Sequence, residues 1–258
     1  MRRSSNPTLN PAVFSKLQAA EGDGVMTVQG AVNKVFALLF LVMITASWSW
    51  GKIFQPASTL GLNQEGVPIS STSMGLVMVC AIVGFIIALI TIFKKQWSPL
   101  TAPGYALCEG IVLGGFSAIF EMQYPGIVLQ AVCLTFGVLF SLLLIYKSGL
   151  IKVTEKFRMG VVAATAGIAV VYILNFVLGF FGIQLPFIYG ANTFGIVFSL
   201  FVVGIASLNL VLDFDFIDQG AAHRLPRYME WYSAFGIMVT LIWLYIEILR
   251  LLSKLRRR

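Results

Sequence analysis

Seven long apolar segments constrain the fold of this chain more than any other feature of its sequence. A helix needs about 20 consecutive apolar residues to cross a bilayer. Such stretches lie at residues 32–50, 75–93, 105–120, 127–146, 161–181, 192–212 and 234–252. They are continuous rather than alternating, so they predict helices and not the strands of a membrane barrel. The third segment is short and follows Pro103 and Gly104, and we expect it to be tilted or irregular.

The composition agrees with a membrane protein. Of the 258 residues, 58% are hydrophobic and only 11% are charged, whereas soluble chains carry about 25% charged residues. This excludes a soluble globular domain, a secreted disulfide scaffold and a disordered chain. The sequence therefore predicts an all-α polytopic protein with seven transmembrane helices in a lipid bilayer. No basic patch is interleaved with stacking aromatics, so the net charge of +7 does not indicate a nucleic-acid partner.

The segments also define a domain organisation. Residues 1–30 are rich in Ser, Asn, Pro and Gly and lack apolar periodicity, which predicts a flexible N-terminal arm and not a signal peptide. The transmembrane domain is predicted over residues 31–253. Residues 254–258 form a basic C-terminal tail.

The distribution of the 18 Lys and Arg residues predicts the orientation. Twelve of them lie in the arm, at the start of the first segment, or in the second, fourth and sixth connections, while the other three connections share only Lys52. By the positive-inside rule the N-terminus is cytoplasmic. The remaining five follow the end of the seventh segment or lie within its last turn: Arg250, Lys254, Arg256, Arg257 and Arg258. Seven crossings would place them outside, so either the tail is an exception or a late segment is re-entrant; we favour seven crossings.

Small residues spaced four apart predict close helix packing in two places. Gly110 and Gly114 form a GxxxG pattern on the third segment, and Ala163 and Gly167 form a related pattern on the fifth. Such pairs let two helix backbones approach closely.

Acidic residues inside the apolar segments need a specific explanation, because an Asp at a helix centre costs about 2.5–3.5 kcal/mol on insertion scales. The candidates are Glu109 on the third segment, Asp213, Asp215 and Asp218 at the end of the sixth, and Glu247 on the seventh. Each also has a structural alternative. Asp218 suits a helix end at the surface, Glu247 an i,i+3 ion pair with Arg250, and Glu109 a hydrogen bond across a helix interface. Asp213 points away from Asp215 on a helix and is the deepest of the three aspartates.

Two carboxyl groups close together in apolar surroundings cannot both ionise cheaply, so such a pair titrates near neutral pH. When ionised it offers the hard oxygen ligands that Ca²⁺ prefers. An intramembrane acidic pair therefore suits either a pH-switched cation site or a proton relay, and this chemistry does not choose between them.

Enzyme activity is not expected. The single histidine, His223, lies in a predicted loop, and HExxH, GxSxG and Walker A motifs are absent from the sequence. Cys80, Cys108 and Cys133 lie in apolar segments without CxxC spacing, so we expect no metal or redox cofactor.

Over essentially its whole length the chain resembles bacterial members of the Bax inhibitor and YccA-like family, and two parts carry the specific resemblance. The N-terminal part contains RSSNPTLNPAVF followed by MTVQGAVNK, and the C-terminal part contains LDFDFIDQG followed by MEWYSAFGIMVTLIWLYIEILRLL. The resemblance implies seven helices, with the last surrounded by the other six, in the bacterial inner membrane. It also implies a pH-sensitive leak of Ca²⁺, with an aspartate pair on the last two helices as sensor and gate.

Carried to this sequence, the resemblance assigns the first role to Asp213, in Leu-Asp-Phe-Asp, and the second to Glu247, in Leu-Tyr-Ile-Glu. Both are therefore candidate ligands of Ca²⁺. The second position differs from the family pattern, since Glu replaces Asp and is longer by one methylene. The two carboxyls would lie at matching depths if residues 227–235 ran along the membrane interface and the last crossing began near Gly236.

These observations predict a cation leak channel that passes Ca²⁺ and H⁺, gated by Asp213 and Glu247, with Glu109, Asp215 and Asp218 as accessory carboxylates. The first alternative is a non-conducting membrane protein that regulates a membrane-bound protease, for which the long N-terminal arm is the relevant feature. The second is a proton-coupled transporter that uses the same acids.

Overall fold

The computed structural model of the protein describes residues 24–53, 71–182 and 190–257. Within these residues the chain forms seven helices, each long and apolar enough to cross a membrane. They are α1 (Val28–Ile53), α2 (Ser71–Phe93), α3 (Ser98–Gln123), α4 (Ile127–Lys147), α5 (Glu155–Phe180), α6 (Thr193–Ala222) and α7 (Met229–Arg256). The predicted all-α polytopic fold with seven transmembrane helices is confirmed.

The third helix differs from its prediction. It is 26 residues long and begins at Ser98, after a short 3₁₀ turn, so that Pro103 and Gly104 lie inside it. Proline lacks the N–H that would bond the carbonyl four residues earlier, which here is that of Pro99. Only one hydrogen bond near the helix start is lost, and membrane helices tolerate such a loss. The expected short third helix is therefore wrong.

The last helix is continuous from Met229 to Arg256. Residues 229–235, which we expected along the membrane interface, form its first two turns, and residues 254–256 of the expected tail form its last turn. The last helix is the most buried of the seven, with half of its most apolar 18-residue window inside the protein.

The chain divides into two compact units. One comprises Met1–Ile119 and Phe216–Met238, and the other comprises Phe120–Asp215 and Val239–Arg258. Each unit has its own packing and its own buried polar groups.

The first unit contains the close packing predicted for Gly110 and Gly114. A Cβ at Gly110 would collide with the side chain of Thr45 and lie 2.6 Å from the carbonyl oxygen of Val42. At Gly114 it would collide with the carbonyl oxygen of Ala46. The glycines of α3 therefore let the backbone of α1 approach closely, as the GxxxG pattern predicts.

The corresponding prediction for Ala163 and Gly167 is wrong. Both residues are exposed on α5, and a Cβ at Gly167 would meet no atom within 4 Å. Small residues permit close approach, but a facing helix must be present for that approach to occur.

The first unit also holds a docked N-terminal segment, residues 24–27. Met26 N donates to Leu225 O at 2.7 Å, and Arg227 N donates to Gly24 O at 2.7 Å. Met26 is only 2% exposed and its sulfur packs against Gly220. The predicted arm thus ends before residue 30, with α1 beginning at Val28; residues 1–23 of that arm lie outside the described residues.

In the second unit, helices α5 and α6 run antiparallel. The start of α5 meets the C-terminal half of α6 where Arg158 pairs with Asp215, and Thr165 bonds Asn209 farther along. Helix α7 also runs antiparallel to α6, because Thr240 bonds Asp213 while Lys254 bonds Ser199. These registers decide which polar side chains meet.

Candidate functional site

Asp213 carries the least satisfied polar group of the described chain. Its Oδ2 is the one buried side-chain oxygen or nitrogen among the described residues without a hydrogen-bond partner. The hydroxyl of Thr240 on α7 hydrogen-bonds the same carboxyl group. An ionised carboxylate oxygen without a partner is costly to bury, so a proton or a cation at Oδ2 would lower the free energy of the site.

Glu247 is also buried, but its charge is compensated. The residue is 2% exposed, and its Oε1 accepts a hydrogen bond from the Tyr172 hydroxyl at 2.9 Å. Arg250 Nη1 lies 3.2 Å from the same oxygen, and its guanidinium lies over the Tyr172 ring, 5.4 Å from the ring centroid. The i,i+3 ion pair that we considered as the structural alternative for Glu247 is therefore present.

The structure does not bring Asp213 and Glu247 into hydrogen-bond contact. Asp213 faces Thr240, which precedes Glu247 by seven residues, or about 10 Å along α7 at 1.5 Å per residue. Among the described residues, no three His, Cys, Asp or Glu side chains are grouped so that they could hold a metal ion. The two candidate Ca²⁺ ligands, Asp213 on α6 and Glu247 on α7, thus lie at different levels along the helix pair and are not two sides of one site.

Two of the accessory carboxylates have different surroundings. Asp215 is buried and lies 2.6 Å from Arg158 Nη2, so it belongs to an ion pair between α5 and α6. Asp218 is exposed near the end of α6, as its structural alternative predicts.

Glu109, in the first unit, is half-buried. It bonds the hydroxyl of Tyr105 one turn earlier on α3, so this bond lies within its own helix and not across an interface.

In the second unit, polar side chains around Asp213, Asp215 and Glu247 recur at a regular interval along α5 and α7. On α5, Arg158, Thr165 and Tyr172 recur every seventh residue, and on α7, Thr240, Glu247 and Lys254 do the same. Seven residues are close to two helical turns, so each set lies on one face. This pattern was not predicted from the sequence, although polar residues at a seven-residue interval within apolar helices are a detectable signal.

Glu230 is a second residue that the sequence analysis missed. It is 2% exposed and lies 2.5 Å from Lys34 Nζ, and its Oε1 accepts bonds from the backbone N and the hydroxyl of Thr27 at 2.9 and 3.0 Å. Since Thr27 immediately precedes α1, Glu230 ties the start of α1 to the start of α7. Glu230 precedes the seventh apolar segment, which begins at residue 234, so a search for acids inside the segments does not find it.

Among the C-terminal basic residues that the structure describes, three make internal contacts. Arg250 pairs with Glu247, and the 6% exposed Lys254 donates to Gly195 O and Ser199 Oγ. Arg256 donates to Pro125 O and Gln130 Oε1. The side-chain charges of Arg250, Lys254 and Arg256 are therefore bound by oxygens of the second unit.

The comparisons agree with the predicted family. No curated protein matches the sequence. The sequence matches the family described as Bax inhibitor 1 like over residues 6–257. This match extends over all seven helices and includes every carboxylate described above. The chain therefore belongs to the Bax inhibitor 1 like family.

Proposed function

We propose that the protein is a pH-sensitive leak channel for cations, Ca²⁺ in particular, and that the protonation states of Asp213 and Glu247 control it. The observation that carries the proposal is the buried Oδ2 of Asp213, which has no hydrogen-bond partner among the described residues. We further propose, from the family resemblance, that the protein lies in a bacterial inner membrane. The distribution of Lys and Arg supports an N-terminus in the cytoplasm.

The two acids have different parts in this proposal. Ionised Asp213 offers a carboxylate oxygen with no competing donor, which favours a divalent cation, whereas its protonation removes the charge. Glu247 is bound by Arg250 and Tyr172, so a cation can use it only when that ion pair opens. Asp215 is neutralised by Arg158 and acts as an accessory group in the second unit, and Glu109 is a separate accessory carboxylate in the first unit.

The experiment is Ca²⁺ flux into liposomes that contain the purified full-length protein, measured from pH 6 to 8. Asp213→Asn keeps the shape of the side chain and removes its titration, so the pH dependence should flatten. Glu247→Gln removes the second carboxylate charge, so it should flatten the pH dependence as well. Glu155→Gln is the control because Glu155 is exposed in the first turn of α5 and has no part in the proposed cation path, so it should leave the profile unchanged. A wild-type pH profile in both Asp213→Asn and Glu247→Gln would contradict the proposal.

The protease-regulator alternative is supported by the docked segment 24–27, which holds the chain after the arm against Leu225 and Arg227. A regulator of this kind would pass no Ca²⁺ in liposomes, and removal of residues 1–23 would abolish its association with the protease. A proton-coupled transporter would instead show proton flux that depends on a second solute.

A further inference from the structure

Asn209 lies one turn from Asp213 on α6 and is held in a single orientation. Its Nδ2 donates to Thr165 Oγ1 at 2.8 Å and to the carbonyl oxygen of Ile205 at 2.9 Å. Because a carbonyl can only accept, the amide nitrogen and not the amide oxygen must face Ile205. Thr165 donates its own proton to Val161 O at 2.8 Å, so its oxygen is available to accept from Asn209.

This arrangement leaves the amide oxygen of Asn209 free. Both N–H groups of the amide are used, and no donor in the described part of the chain bonds Oδ1. Asn209 is half-buried, so its oxygen is a neutral acceptor within a largely apolar helix pair.

The level of Asn209 along the helices lies between the two carboxyls. Helices α6 and α7 are antiparallel, and Asp213 on α6 lies beside Thr240 on α7. From this level, Asn209 lies about 6 Å back along α6. Glu247 lies about 10 Å onward along α7, which is the same direction in space. Along the helix axes, Asn209 therefore lies between the levels of Asp213 and Glu247.

We infer that Asn209 supplies a neutral oxygen ligand to Ca²⁺ as it passes between Asp213 and Glu247, and that Thr165 positions this ligand. The inference rests on the proposed cation path. Ca²⁺ takes six to eight oxygen ligands and accepts Asn carbonyls together with carboxylates. The two carboxylates are two helical turns apart. An oxygen ligand between them lets the ion move from one carboxylate to the other in two short steps instead of one long step.

The test compares Ca²⁺ flux through three full-length variants in liposomes at the pH of maximal wild-type flux. Asn209→Leu removes the oxygen at similar volume and should lower the flux by about tenfold or more. Thr165→Val is isosteric and removes the anchor of the amide, so the flux should fall in the same direction but less. Ser207→Ala is the matched control. Ser207 is two residues away on α6, and among the described residues it bonds only the Val203 carbonyl of its own helix, so the flux through Ser207→Ala should equal that of wild type.

The outcomes separate this inference from the proposed function. Asn209 does not titrate, so Asn209→Leu should keep the pH midpoint of the wild type while Asp213→Asn does not. Wild-type flux in Asn209→Leu, together with a flattened pH profile in Asp213→Asn, would overturn the role of Asn209 and leave the leak channel standing. If Asn209→Leu does not fold, Thr165→Val decides, since wild-type flux in that variant would also overturn the inference. A wild-type protein that passes no Ca²⁺ would overturn both proposals.

Discussion

Arg158 Nη2 lies 2.6 Å from Asp215 Oδ2 and joins the first turn of α5 to α6. The side chains are 23% and 10% exposed, so the pair is largely shielded from solvent. A shielded ion pair adds little when compared with two apolar residues, but the loss of one partner leaves an uncompensated charge. The pair therefore fixes the register of α5 against α6 more than it adds to the total stability.

This relationship predicts a non-additive mutant cycle. Arg158→Met should lower the free energy of unfolding in detergent by about 2 kcal/mol, because Asp215 is left charged and unpaired. The double variant Arg158→Met, Asp215→Leu should recover most of that loss. Thermal or denaturant unfolding of the wild type, Arg158→Met, Asp215→Leu and the double variant measures the coupling. Simple additivity of the two single variants would show that the ion pair has no such role.

The contact between Glu230 and Thr27 predicts a local effect on the docked segment 24–27. Glu230→Gln weakens the bonds to Lys34 and Thr27, so the amides of Met26 and Arg227 should exchange hydrogen about tenfold faster. Hydrogen exchange with mass spectrometry measures this change.

The control is Glu155→Gln, at an exposed acid in the first turn of α5. Equal protection of the Met26 and Arg227 amides in wild type and Glu230→Gln would show that the backbone bonds alone hold the segment.

The close approach at Gly110 predicts a steric effect. Gly110→Ala places a methyl group against Thr45 and the carbonyl of Val42, so the free energy of unfolding should fall by about 1–3 kcal/mol. Gly137→Ala on α4 is the matched control, because a Cβ there meets nothing within 4 Å. Thermal melting in detergent compares the two variants. Equal melting temperatures of the two variants would contradict the prediction, because they would mean that α1 can move away from α3 to accommodate the methyl group.

The Tyr172 hydroxyl predicts a smaller effect at Glu247. Tyr172→Phe removes one of the two partners of the buried carboxyl and should cost about 1–2 kcal/mol. Tyr124→Phe, at a hydroxyl for which no bond is described, should cost nothing measurable. Unfolding in detergent at fixed pH distinguishes the two. A larger loss in the Tyr124 variant would contradict the assignment.

The C-terminal contacts bear on the topology that the sequence analysis favoured. The positive-inside rule counts Lys and Arg in short loops and near the ends of the crossings. Arg250, Lys254 and Arg256 bond oxygens of the protein. These contacts give the three residues partners inside the protein, whichever side of the membrane the C-terminal end lies on.

The sequence by itself determined the helices. Apolar length is a local property, and each segment of about 20 apolar residues became a helix of the predicted type. The family assignment and the close packing at Gly110 and Gly114 also followed from local patterns. The boundaries were less accurate, since Pro103 lies inside α3 where a helix start was expected.

Only the tertiary structure decided which polar groups meet. The antiparallel register of α6 and α7 sets Asp213 beside Thr240 and leaves Glu247 two turns away, bound to Tyr172 and Arg250. That register comes from the packing of whole helix faces, which involves residues far apart in the chain. The same cause explains why Gly167 lacks the packing that Gly110 has, because a small residue needs a facing helix that its own sequence does not specify.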